Sequence, residues 1–340
     1  MSFLLRITCI FTAAAVLAGC GSLMNLIYRP TGWVIYDLTD RHVTPYTFST
    51  GDVGVACNAT QSLQPLVMAF SRIMSSPDEA GIVLNIMTGG CEAEIAHEEN
   101  LTYIRELKAQ NINEAKDARI REKRHYAIAA TRLQQSYDFM VEAYGEPGEK
   151  CPKLNYEEGV YWALGNLAGL QAVYADLNAQ SVVGVPKDIA QKAVRGLQCL
   201  DNQDYWGLPM AAQAGLWVLL PDTAPAGSDP WVEMAAASRI GADAGVRLAD
   251  AAEVLIADSA GQTERLKAAI RRHAESLKAH ESDKQYRLLD VVATQQILAV
   301  SDRLWTEATG SRTPVGEFGT FWDDKAEEED LGISLDDLLD

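Results

Sequence analysis

Residues 126–144, YAIAATRLQQSYDFMVEAY, set Tyr126, Ala129, Leu133, Tyr137, Met140 and Tyr144 three or four positions apart. That interval repeats once per helical turn, so these side chains share one stripe while the residues between them face water. The same period returns along most of the chain. Leu63, Leu66, Val67, Phe70 and Ile73 fall on one face, as do Ile95, Leu101, Ile104 and Leu107, and Tyr286, Leu289, Val292, Val300 and Leu304 form another seam. No part of the chain needs a sheet. The pattern predicts an all-α fold, an array of antiparallel helical hairpins that is either a tetratricopeptide-like solenoid or an irregular bundle. A strict repeat of about 34 residues is absent from the sequence, so any repetition is structural.

Turn signals divide the array. Ser75-Ser76-Pro77 closes a first helix and Asp78 opens its return, which the pair Gly89-Gly90 is expected to end just before Cys91. A polar helix follows, broken at Asn111-Ile112-Asn113, where Asn113 can cap the next one. Both helices are charged on their outer faces and read as a projecting antiparallel hairpin or as one broken long helix. Gly145-Glu146-Pro147-Gly148 is the clearest internal boundary, separating N-terminal hairpins (57–148) from an alanine-rich C-terminal array (149–312). Within that array helices are expected from about Asn155 to Asn178, up to Asp201, over Tyr205–Leu220, and over a long stretch from Asp229-Pro230 to Ala257. Pro230 suits a first helical turn. Two more are expected after Gly261 and after Asp283, the last ended by Gly310. Phe318, Phe321 and Trp322 are expected to fold back onto the helices.

The ends carry different information. Arg6, an apolar run from Ile7 and the tetrad Leu17-Ala18-Gly19-Cys20 have the form of a lipoprotein signal, with residues 1–19 removed and Cys20 carrying the lipid. The run is too short for a membrane span, which takes roughly 20 apolar residues. Gly21 gives no reason for retention at the inner membrane, so the expected address is the periplasmic face of the outer membrane. Residues 20–56, with Pro30, Pro45 and the run Trp33-Val34-Ile35-Tyr36, then read as a tether containing a short strand. At the other end, Asp323 to Asp340 hold nine acids against Lys325, nearly half of the net charge of −18. Such a segment is expected to stay solvated. No basic patch exists to grip phosphate backbones, which argues against nucleic acid as a partner.

Of six cysteines, Cys9 leaves with the signal and Cys20 takes the lipid. The remaining Cys57, Cys91, Cys151 and Cys199 suggest two disulfides, with three connectivities open. The helix layout favours Cys57–Cys91 and Cys151–Cys199, each closing a hairpin. A clamp on a loop of that length stabilises the fold by about 3–4 kcal/mol. Their spacing does not fit a zinc site. His273 and His280 stand seven apart, about 10 Å along a helix axis, too far for one ion. Nucleophile, phosphate-loop and dinucleotide motifs are missing as well, and the chain reads as a non-enzyme with no cofactor.

Two groups of residues admit a second reading. Ala237, Gly241, Gly245 and Ala249 form a small-residue stripe suited to close helix packing, or to a ligand. Tyr161, Trp162, Trp206, Trp217, Trp231 and Trp305 crowd the C-terminal half. Large aromatics ordinarily build a core; the alternative is an apolar pocket. Arg303 and Glu307 lie one turn apart, an exposed ion pair on the plain reading. In the pocket reading Tyr161, Trp162 and Trp305 wall the cavity, and Arg303, with Glu307 beside it, meets a carboxylate ligand.

With the lipobox at Cys20, the helical pattern from Ala59 to Trp305 and Tyr161-Trp162-x-x-Gly165, with Gly169 behind, the chain resembles the T-component of TRAP transporters. That resemblance implies a helical scaffold that engages a periplasmic solute-binding protein, passes it a small hydrophobic or organic-acid ligand, and forms a homotrimer. The tether of about 35 residues, the long charged hairpin near 91–144, the four extra cysteines and the acidic tail depart from the family. The hairpin and the tail would serve as docking surfaces in the alternative, a structural or assembly lipoprotein of the outer membrane that binds no small molecule.

Overall fold

The computed structural model describes residues 26–73, 76–148 and 150–324. The signal segment, Cys20 and the acidic residues 325–340 lie outside them. Among the described residues every regular element is helical. The frame is a hairpin of two long helices, α4 (Asp78–Lys108) and α5 (Ile112–Tyr144). Their partners run in opposite directions along the chain: Gly81 meets Phe139, Gly89 meets Leu133, Glu92 meets His125, and Glu99 meets Arg121. This antiparallel order continues as α6 (Tyr156–Asn178) packs on α5 and α7 (Asp188–Leu197) on α6. After α8 (Leu208–Leu219), α9 (Pro230–Ala244), α10 (Leu248–Ser259) and α11 (Thr263–Ala279), the last helix α12 (Arg287–Thr309) turns back toward the start. It packs on α10 and also on α4 and α3 (Val53–Ala69). In an open solenoid each unit touches only its neighbours, so this return closes the array on itself.

One hydrophobic cluster runs from Phe48 through Met140, Trp162 and Ile270 to Phe321, so the segments on either side of Gly145 share a core. The boundary turn is where the sequence puts it, with Gly145 ending α5 at positive φ. Several other ends follow the local signals. Asn155 and Glu158 form a reciprocal capping box at α6, in which each side chain bonds the other residue's backbone N–H. Asp229 caps α9 with Pro230 in its first turn. Asp283 accepts from the N–H groups of Gln285 and Tyr286 ahead of α12, and Gly310 ends that helix in the left-handed region.

Four expectations need correction. Gly89-Gly90 does not end a helix; α4 runs through both without a break. Gly89 is there because α5 lies so close that a Cβ would sit 2.7 Å from Leu133 Cγ. The long helix expected from Pro230 to Ala257 is two helices. Gly245 has φ +71°, and a Cβ on it would meet the Glu281 carbonyl at 2.5 Å, so the chain turns where only glycine fits. The α4–α5 hairpin does not project. Lys108, at the end of α4, donates to the carbonyls of Thr306 (3.0 Å) and Glu307, and Arg312 donates to Glu98 at 2.8 Å.

The fourth correction is the tether. Residues 26–38 form a helix (α1) where a strand was expected. It passes through a π-helical turn, Thr39–Val43, into α2 (Thr44–Ser49). Ile35 and Tyr36 pack on Val67, Ala80 and Leu84. Tyr36 donates to Glu79, and Arg29 Nε donates to the Ile73 carbonyl at 2.8 Å. Pro45 sits in the first turn of α2, where its missing N–H costs nothing. The β-branched run that suggests a strand is thus held helical by docking on α3 and α4.

Candidate functional site

Between α3, α4, α6 and α12 lies a cavity of about 530 Å³. Its floor is apolar: Phe48 from α2, Val53 from α3, Ile86 and Met87 from α4, Leu164 and Leu167 from α6, and Leu289 and Val292 from α12. Polar groups converge on it from the same helices, namely Gln61, Glu94, Gln171, Gln295 and Gln296. Gly90 explains the hollow. While Gly89 is pressed against α5, a Cβ on Gly90 would meet nothing within 4 Å. The missing side chain therefore leaves room inside the fold.

The Cys57–Cys91 bridge, with Cα atoms 6.0 Å apart, forms part of the wall and ties α3 to the middle of α4. Asp52 fixes the start of α3 by accepting from Val55 N at 2.9 Å. Gln64 adds a hydrogen bond to Asn85 at 2.7 Å. The second bridge, Cys151–Cys199, has a Cα separation of 5.3 Å and closes the α6–α7 hairpin away from the cavity. Both pairs are those the helix layout favours.

Glu94 gives the cavity its chemistry. Burial pushes its carboxyl above the usual range; a hydrogen bond from Gln295 opposes that, and the nearby acids Glu98 and Asp302 add to it. Arg312 draws it down weakly. One turn further along α4, His97 is lowered to about 4, first by burial and then by the Arg303 charge. Its ring stands edge-on to Tyr126, with centroids 6.1 Å apart. The site thus offers an apolar body, carboxamides that both donate and accept, and one acid held toward its neutral form. It can take a small molecule with an apolar portion and a hydrogen-bonding head. Among the described residues no group of His, Cys, Asp and Glu could hold a metal ion.

None of the five aromatic and charged residues singled out in the sequence lines this cavity. Trp162 is 1% exposed and donates to the Gly196 carbonyl at 2.7 Å, joining α6 to α7. Tyr161 donates to Asp40 at 2.8 Å and so holds the π-turn after α1 against α6. Trp305 is buried, donates to the Thr320 carbonyl and meets Trp322 edge-on. Arg303 does bond Glu307 at 2.8 Å, but it also bonds Asp258 of α10. Of these five, Arg303 and Glu307 bond each other, while Tyr161, Trp162 and Trp305 each bond a different segment. The two histidines stand apart: His273 is fully buried between Asp250 and Thr294, and exposed His280 lies 3.8 Å from Asp243. The cavity residues that the sequence reading missed had one signal. Gly90 and the pair Gln295-Gln296 interrupt otherwise apolar helical stretches.

No protein-family model matches this chain, and no curated protein or solved structure matches it either.

Proposed function

We propose that this chain is a lipid-anchored, non-enzymatic binding protein of the cell envelope, facing the periplasm from the outer membrane. Its ligand site is the cavity between α3, α4, α6 and α12. The observation that supports this reading is the cavity itself, an apolar space of about 530 Å³ with a few polar groups converging on it. That is the ordinary make-up of a small-molecule site, and the volume falls within the usual range of roughly 300–1,000 Å³. The ligand is a small amphiphile whose polar head meets Glu94 and the glutamines. The body would act as an adaptor, and a TRAP-type periplasmic solute receptor is the partner that the resemblance implies.

Gly90→Met tests the site. The new side chain points into the hollow without meeting a neighbour at Cβ, and replacing a mid-helix glycine favours the helix by up to about 1 kcal/mol. The variant is expected to melt at the same temperature or higher. Native mass spectrometry of the purified wild type should show a bound small molecule that Gly90→Met has lost. A wild type that carries nothing, and binds no amphiphile from an extract of the host envelope, sinks the ligand reading. The structural or assembly role would then stand in its place. Recovery of a solute receptor with the natively purified protein tests the adaptor role separately.

A further inference from the structure

Helix α1 is apolar on the wrong side. At 100° per residue, Leu26, Ile27, Pro30, Trp33, Val34 and Leu38 fall within an arc of about 140°. This arc faces solvent: Leu26 is 70% exposed, Val34 66%, Ile27 57% and Trp33 52%. The opposite side, with Gly32, Ile35 and Tyr36, is the one docked on the body. A surface helix normally turns charges outward, yet the only charged group on this outer arc is Asp37, which Arg41 neutralises at 2.8 Å. A contiguous exposed apolar face of this kind marks an interaction surface.

We infer that the outer face of α1 lies on a lipid bilayer, in the plane of the interface, and so seats the body on the membrane. The inference rests on the lipid-anchor reading of Cys20. Fully extended, residues 20–25 span at most about 20 Å, so a lipid at Cys20 keeps α1 within that distance of the bilayer. Charge selects the same face. Over residues 26–51, Arg29 and Arg41 balance Asp37 and Asp40, whereas the chain as a whole carries −18. The net negative charge of the chain opposes approach to anionic headgroups, and this neutral, apolar arc adds nothing to that repulsion. Trp33 is suited to the headgroup level, where amphipathic rings gather, and no described helix is long and apolar enough to cross the membrane instead. The helix lies on the bilayer, as interfacial amphipathic helices do.

The test uses the full chain, purified in its native form and reconstituted into phosphatidylethanolamine–phosphatidylglycerol vesicles. These are doped with phospholipid brominated either near the headgroup end or near the methyl end of its acyl chains. Trp33 is one of seven tryptophans, so the readout is the difference between wild type and Trp33→Phe. The inference expects one indole to be quenched in the wild type, more by the shallow bromine than by the deep one, and that quenching to vanish in Trp33→Phe. Equal quenching of the two proteins overturns it. So does efficient disulfide cross-linking between copies of a Val34→Cys variant on the vesicles, which would assign the face to a second copy. Mass spectrometry of Cys20 reports on the lipid anchor by itself. An unmodified Cys20 with Trp33 still quenched refutes the anchor and leaves the face standing.

Discussion

The junction of α9 and α10 and the seam between α3, α4, α6 and α12 are built from similar helices and have opposite interiors. At the junction, Arg247 is fully buried and each of its side-chain nitrogens is hydrogen-bonded. Its backbone N–H and guanidinium both bond Asp290, at 2.9 and 2.6 Å. Its other nitrogens reach Ser276 and the His280 carbonyl, while Ser282 donates to the same aspartate. At the seam, glycine stands where a side chain could fill the space, and the carboxamides of Gln61, Gln171, Gln295 and Gln296 line it. The fold can therefore satisfy a full charge in its interior when packing is the only demand. Leaving a void elsewhere forfeits contacts and costs stability, which argues that the void is kept for use.

Mutations can break each side of this contrast. The largest effect is expected at the filled junction. Arg247→Met leaves the Asp290 carboxylate buried without its partner and should lower stability by about 3–5 kcal/mol, read from the denaturant midpoint. The double variant Arg247→Met/Asp290→Leu should recover part of that loss. If the single variant costs under about 1 kcal/mol, the Arg247–Asp290 pair is not what holds the junction.

The two disulfides sharpen the comparison at nearly constant energy. Removing either by paired Cys→Ser changes should cost about 3–4 kcal/mol. With sequence separations of 34 and 48 residues, chain entropy alone sets them about 0.3 kcal/mol apart. Ligand retention should separate them: Cys57→Ser/Cys91→Ser opens the cavity wall, and Cys151→Ser/Cys199→Ser leaves it intact. Equal retention by the two would mean that α3 holds its place without the bridge.

The smallest effect is a pH dependence. The imidazole of His97 is held near 4 in the fold against about 6.5 unfolded. Above pH 6.5 neither state is protonated there and the group contributes nothing. As pH falls from about 6.5 toward 4, the unfolded chain takes up the proton first, so folding weakens. His97 is partly open to solvent, which trims the loss to about 1–2 kcal/mol. Melting scans should show His97→Gln losing less stability over that window than the wild type. Parallel curves would remove the histidine from the account.

Much of the helical plan was legible because its signals are local. A capping box at Asn155 and Glu158, Pro230 in a first turn, Asp283 before a helix and Gly310 after it act within one turn of backbone, and a sequence displays them in full. The cysteine pairs were legible for a related reason: helix lengths alone return each partner to its mate. What escaped depends on distant chain. Gly89-Gly90 and Gly245 look alike in the sequence, yet one lies mid-helix and the other ends a helix. The difference is whether Leu133 or the Glu281 carbonyl comes close. Trp33-Val34-Ile35-Tyr36 has the β-branched look of a strand and is helical because it docks. The cavity stayed hidden because aromatic residues advertise themselves whereas absent side chains do not. Trp162 and Trp305 became core, and Gly90 made the space.

The return of α12 onto α4 has a consequence for how the molecule is made. Three walls of the cavity, α3, α4 and α6, are complete by Asn178, but the fourth waits for Leu289, Val292 and Gln295. The bonds from Lys108 to the Thr306 and Glu307 carbonyls span almost two hundred positions. Such long-range contacts form late, after the entropy of closing the intervening chain has been met. A chain emerging from its N-terminus thus builds its hairpins first and seals the pocket last. Until α12 arrives there is an open trough where the cavity will be, and loss of the final helix would leave that trough without its fourth wall.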